Sequence, residues 1–190
     1  MTSPVGRRPR SLVQRYVDRL NRMLNTTVTE SRLAVSDRDG QGGWIVERRQ
    51  QGFSSLPLEL RPLGTFLFFQ QRIRVDNDEI ILHTCNYRFS TSSDLRHDDA
   101  WVLRYEFSLT PLPGQPHAHL HVNAVHKHTA APMDRLHLPS GLVTIEQFLA
   151  HLLLEHGVEP VGSGGAAEAV ESLGESHGRF PAARPAALFP

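Results

Sequence analysis

Five histidines fall within the twelve residues HAHLHVNAVHKH, 117–128. Imidazole takes and returns a proton near neutral pH, with an unperturbed pKa of about 6.5, and is also the commonest metal ligand. In an extended chain alternate side chains share a face. His117, His119, His121 and Asn123 therefore take one side, and Ala118, Leu120, Val122 and Ala124 the other. The small apolar set should face a core and the histidines a groove or solvent. His126 and His128 fall on the apolar parity, which puts the word HKH in a loop or beyond a bulge.

Three uses of such a strand are open. Two histidines two apart on one strand stand about 7 Å apart, about the span of a phosphate with its flanking oxygens. Cleaving RNA without a metal needs one group to take the 2′-hydroxyl proton and another to protonate the leaving 5′-oxygen. It also needs a cation beside the charged phosphorane. On that reading His119 and His121 are the acid–base pair, His117 or His137 assists, Arg88 and Arg104 hold the phosphate, and no cofactor is needed. The second use is a divalent metal held by His117, His119 and His121, or completed by Glu106 or Asp134, although no spaced carboxylate of the cupin pattern follows. The third is a polar sheet face in a non-catalytic interaction protein.

The elements that must carry these residues are legible from period and punctuation. Ser11 with Gln14 has the form of a capping box opening a helix, and Leu12, Val13, Tyr16, Val17, Leu20, Met23 and Leu24 follow at helical spacing. Arg15, Asp18, Arg19 and Arg22 lie on the opposite side, either a solvated face or one for nucleic acid or a partner. From Thr26 the period becomes two. TVTESRLAVS, WIVERRQ, TFLFFQQRIRV, EIILHTCNYRF, AWVLRYEFSL and the histidine strand read as strands separated by turn-forming words. Thr144 with Gln147 forms another capping box, before an apolar stripe of Ile145, Phe148, Leu149, Leu152 and Leu153, and Gly157 is placed to end that helix. The expectation is an α+β domain over 11–159: a curved antiparallel sheet of about six strands, an N-terminal helix and a C-terminal amphipathic helix. Residues 1–10, which are basic, and the Gly/Ala/Pro-rich 160–190 are expected to be disordered.

Parity also places the other polar candidates. Thr84, Asn86 and Arg88 share a side, as do Arg104 and Glu106, with Trp101, Leu103, Tyr105 and Phe107 opposite the latter pair. Arg88, Arg104, Glu106 and the histidines line one surface if the strand register allows. Tyr87 and Tyr105 take the core side, as does Cys85, which is more a small buried side chain than a nucleophile. Cys85 is the sole cysteine, which excludes an internal disulfide and fits a reducing cytoplasm. No run of apolar residues has the length of a membrane span, and no apolar segment of the signal-peptide kind follows the basic start. The zero net charge conceals an asymmetry: residues 1–74 carry thirteen Arg against six acids, and 75–190 carry seven basic residues against fourteen acids. The basic front half suits phosphates or an acidic partner.

The words YRF at 87–89, LRYEF at 103–107, HAHLH at 117–121 and HLPSGLVTIEQFLAHLL at 137–153 follow in an order that resembles the small TumE-like toxins of bacterial type II toxin–antitoxin modules, over residues 80–157. That resemblance implies a partner antitoxin with a helix-turn-helix domain, and RNA as a target. The chain departs from the pattern in its longer N-terminal helix and strands, its His126–His128 pair and its tail. HAHLHV after GQ at 114–115 also resembles the histidine triad of nucleotide hydrolases and transferases, which implies His119 as nucleophile with His117 and His121 in support. Only Pro116 separates GQ from the first histidine, and Asn123 stands where that family has an apolar residue.

Overall fold

The structure is a computed structural model that describes residues 7–37, 43–50, 53–94, 96, 100–123, 138–179 and 184–185. In chain order these form α1 (Arg7–Thr27), β1 (Ala34–Asp37), β2 (Gly43–Gln50), β3 (Phe53–Leu56), β4 (Leu58–Glu59), β5 (Phe66–Asp76) and β6 (Glu79–Ser90). They continue with β7 (Trp101–Ser108), β8 (Ala118–Val122), β9 (Leu138–Pro139), α2 (Ile145–Glu155), α3 (Gly165–Arg179) and β10 (Arg184–Pro185). The sheet order is β1-β2-β5-β6-β7-β8-β9, antiparallel at each step, with short β3, β4 and β10 attached to β2, β5 and β6. The six expected strands are the core of this path. The sheet is larger because the Pro-bearing loop after β2 and the segments around 138 and 184 add short paired pieces that alternation cannot reveal.

The β5–β6 hairpin is the longest pairing, from Phe66 opposite Ser90 to Asp76 opposite Glu79. Its two-residue turn has Asn77 at φ 49° and Asp78 at φ 61°. Two consecutive positive φ values match the right-handed strand twist, and Asn and Asp tolerate them best after Gly. This hairpin carries Arg88, and its ladder shifts register by one residue between Arg72 and Ile73.

One face of the sheet is the core. Phe69, Tyr87 and Tyr105 stack across three strands at 5.4 and 5.9 Å, and Phe148 of α2 tilts onto Tyr87 at 5.6 Å. Val17, Leu20 and Leu24 of α1, Leu149 and Leu152 of α2 and Leu173 of α3 complete the same buried cluster. Burying each such side chain contributes about 1.5–3 kcal/mol. The polar atoms on this face are paired: Tyr16 Oη donates to Gln71 (2.7 Å), whose Nε2 donates to Tyr87 Oη (2.7 Å). Tyr105 Oη accepts from the Val143 amide (2.8 Å) and donates to the Gly141 carbonyl (3.3 Å), fixing the entry to α2. Both tyrosines are thus core groups, as parity requires. Burial pushes the Cys85 thiol up to about 12, so it is not a nucleophile at neutral pH.

Three helix boundaries differ from expectation. α1 begins by Arg7, so Ser11 lies inside it and is not its cap. It also runs through Thr27, because the Thr26 and Thr27 hydroxyls donate back to the Arg22 (3.0 Å) and Met23 (2.7 Å) carbonyls. Two β-branched residues that read as strand therefore close a helix instead. Within the expected tail, Gly165–Arg179 is helical and buries Ala169 and Leu173. Its apolar stripe of Ala166, Ala169, Val170 and Leu173 holds one large side chain, which gives helical spacing with little hydrophobicity for its length. By contrast α2 starts as read: Thr144 and Gln147 make both hydrogen bonds of the capping box, and Gly157 follows the helix at φ 67°.

Arg19 also leaves its expected place. It is buried, with Nη2 2.8 Å from Glu146 Oε1, and joins α1 to the first turn of α2. Arg15 and Arg22 remain exposed. No described helix is long and apolar enough to cross a membrane.

Candidate functional site

The second face of the sheet carries the polar rows, and the register decides who meets whom. Arg88 lies opposite Arg104, and Arg104 opposite His121. One row along, Glu47 faces Gln70, Gln70 faces Asn86, Asn86 faces Glu106 and Glu106 faces His119. Directly opposed residues on neighbouring antiparallel strands share a face with close Cβ atoms. Residues far apart in the chain thus form two adjacent polar lines, the first across β6, β7 and β8 and the second across β2, β5, β6, β7 and β8.

Glu106 is the hub of the second line. Its Oε1 accepts from Asn86 Nδ2 at 3.2 Å and lies 3.1 Å from Arg104 Nε. Its Oε2 lies 3.2 Å from His119 Nε2 and 3.9 Å from His121 Nε2. The two imidazoles meet edge to face at 4.9 Å, closer than the strand repeat alone would set them. His119 Nδ1 is 3.2 Å from the Pro116 carbonyl oxygen. The histidines are 4% and 2% exposed, whereas the Glu106 and Arg104 side chains are 30% and 29% exposed, so the cluster is approached past the arginine and the carboxylate. Beside Arg104 an open concavity of about 210 Å³ is lined by Ser55, Phe68, Gln70, Asn86, Arg88 and Arg104.

Aromatic faces hold the two guanidinium groups in place. Arg88 lies over Phe68 at 5.6 Å and Arg104 over Trp101 at 5.4 Å. Trp101 is on the opposite side from the one alternation gives it. The β6–β7 register slips by one residue between Phe89 and Ser90, so Trp101 rather than Val102 faces Ser90. The bulge turns the indole onto the histidine face, where its ring meets His121 edge-on at 6.5 Å. Nothing in the periodicity of WVLRYEF marks this slip.

The structure thus brings together Arg88, Arg104, His119 and His121, with Glu106 at their centre. It does not bring His117 into the group: that residue is exposed and its Nδ1 lies 2.9 Å from the Ser108 carbonyl oxygen. Among the described residues the set of three candidate metal ligands is accordingly Glu106, His119 and His121, in place of the three strand histidines. His126, His128, Asp134 and His137 lie outside the described residues. Asn123 turns to the backbone, its Nδ2 donating to the Trp101 carbonyl (2.7 Å). No family model, curated protein or solved structure matches the chain, so the site rests on its own geometry.

Proposed function

We propose that this protein acts on phosphodiesters, with RNA as the substrate class, as the toxin-like component of a bacterial toxin–antitoxin module whose antitoxin carries a helix-turn-helix domain. The observation that supports the activity is the pairing of two aromatic-backed arginines, Arg88 and Arg104, with the Glu106–His119–His121 cluster in adjoining rows of one sheet face. Planar guanidinium groups suit the bidentate grip of a phosphate. A proton acceptor beside that grip is what attack by a neighbouring hydroxyl requires. The module assignment is supported by the order of the YRF, LRYEF and HAHLH words and the helix that follows them.

Each group has a stated task. Arg104 and Arg88 bind the phosphate and offset the charge that develops on it. Glu106, held by Asn86 and Arg104, orients His119. The base that takes the attacking hydroxyl's proton belongs to the cluster. Expression of the wild-type protein in bacteria should arrest growth, and the double substitution His119→Ala/His121→Ala should relieve the arrest without loss of soluble protein. A double variant as toxic as wild type would refute the proposal.

A further inference from the structure

We infer that Glu106, His119 and His121 form a binding site for a divalent first-row transition metal, with zinc the ion best matched to two imidazoles and one carboxylate. Three donor atoms, one from each residue, lie within 4.8 Å of one another. Around a tetrahedral zinc, with bonds near 2.0–2.2 Å, ligand atoms stand about 3.4 Å apart. Glu106 Oε2 is already 3.2 Å from His119 Nε2 and 3.9 Å from His121 Nε2. Small side-chain rotations would close the set around one ion.

The hydrogen bonds outside the three donors fit the same reading. His119 lies between two acceptors, the Pro116 carbonyl at Nδ1 and the Glu106 carboxylate at Nε2. A neutral imidazole has one N–H and satisfies one of them. With the proton on Nδ1, directed at the carbonyl, the Nε2 lone pair faces the carboxylate, and a cation between them removes the repulsion. A backbone carbonyl fixing the far nitrogen is the usual second partner of a metal-bound histidine. Glu106 is divided in the same way: Asn86 and Arg104 occupy Oε1, leaving Oε2 toward the histidines. Two histidines and one glutamate are a ligand set that leaves a coordination position open, as catalytic rather than structural zinc sites do.

The binding claim stands on geometry alone, and only its use rests on the phosphodiester reading. There, an ion held beside Arg104 would polarise a phosphoryl oxygen and would acidify a water so that it loses its proton to solvent and its hydroxide form can accept the attacking hydroxyl's proton. The cluster would then do its work through the ion rather than through two free imidazoles.

Protein purified without a polyhistidine tag, stripped with chelator and dialysed against Zn²⁺, should retain one equivalent by elemental analysis. Glu106→Gln and His121→Ala, checked for wild-type circular dichroism, should each weaken zinc binding at least about 100-fold, beyond the ~10–100-fold typical of losing only an outer partner. The control is His151→Ala, which opens another close histidine pair among the described residues, His151 and His156 with Nε2 atoms 3.2 Å apart, and should leave the stoichiometry unchanged. Where a ligand variant misfolds, Co²⁺ titration of wild-type apoprotein decides: visible d–d bands of a low-coordinate nitrogen–oxygen site support the site, and their absence overturns it. Retained binding in both folded ligand variants, or loss in the control, also overturns it. One equivalent of zinc in a protein that cuts no RNA leaves the site standing and removes the proposed function instead.

Discussion

Replacing Arg19 with methionine should cost the fold about 3 kcal/mol. The substitution keeps the apolar stem and leaves Glu146, 4% exposed, without the guanidinium 2.8 Å away. Breaking one side of a buried ion pair costs about 3–5 kcal/mol because the remaining charge stays desolvated. Glu146 sits in the first turn of α2, where the helix N-terminus favours a carboxylate, which puts the expected loss at the lower end of that range. The double substitution Arg19→Met/Glu146→Leu should recover most of the loss, since an apolar pair of similar volume suits the site. Urea denaturation of the three variants measures this. A loss below about 1 kcal/mol for Arg19→Met would mean that α1 and α2 are not joined through this pair.

The second large effect is on activity. Arg104→Ala should slow RNA cleavage about 10²–10³-fold, the loss typical of removing one donor aimed at developing charge. Stability should change by less than about 1 kcal/mol, because the side chain is 29% exposed and its ion pair with Glu106 is open to water. Arg104→Lys should restore only part of the rate. Lysine supplies the charge, but not the planar fork or the stacking on Trp101 that holds it. Single-turnover rates and thermal melts of both variants test the two halves separately. A wild-type rate in Arg104→Ala would remove Arg104 from the site.

Alternation sorts side chains within each strand, Arg88 in one, Arg104 with Glu106 in the next, and His117, His119 and His121 in the third, and puts them on one surface only if the register allows. It could not say which of them touch. That depends on register, and a slip of one residue reverses every face. The β6–β7 and β7–β8 ladders set which side chains meet, with Asn86 opposite Glu106 and Glu106 opposite His119, so that Glu106 rather than His117 reaches His119. Trp101 was misread because one unpaired residue in β7 shifts it across the sheet. Thr26 and Thr27 were misread because their hydroxyls serve the end of a helix, although their branching suits a strand. α3 was missed because its buried stripe has one large side chain, Leu173, beside the small Ala169; the signal was their spacing rather than their hydrophobicity. The step from a metal-free histidine pair to a proposed metal site comes from a similar source. The convergence of two Nε2 atoms on one carboxylate oxygen, with the Pro116 carbonyl behind His119, favours it, and no sequence displays either.

The central claim is that the Glu106–His119–His121 cluster and its two arginines cut RNA. The most direct measurement incubates purified, zinc-reconstituted protein with a labelled single-stranded RNA and compares wild type with a folded His119→Ala/His121→Ala variant. Wild type should give endonucleolytic products, and the variant a rate at least about 100-fold lower. Intact RNA with wild type, or equal cleavage by the two proteins, would contradict it.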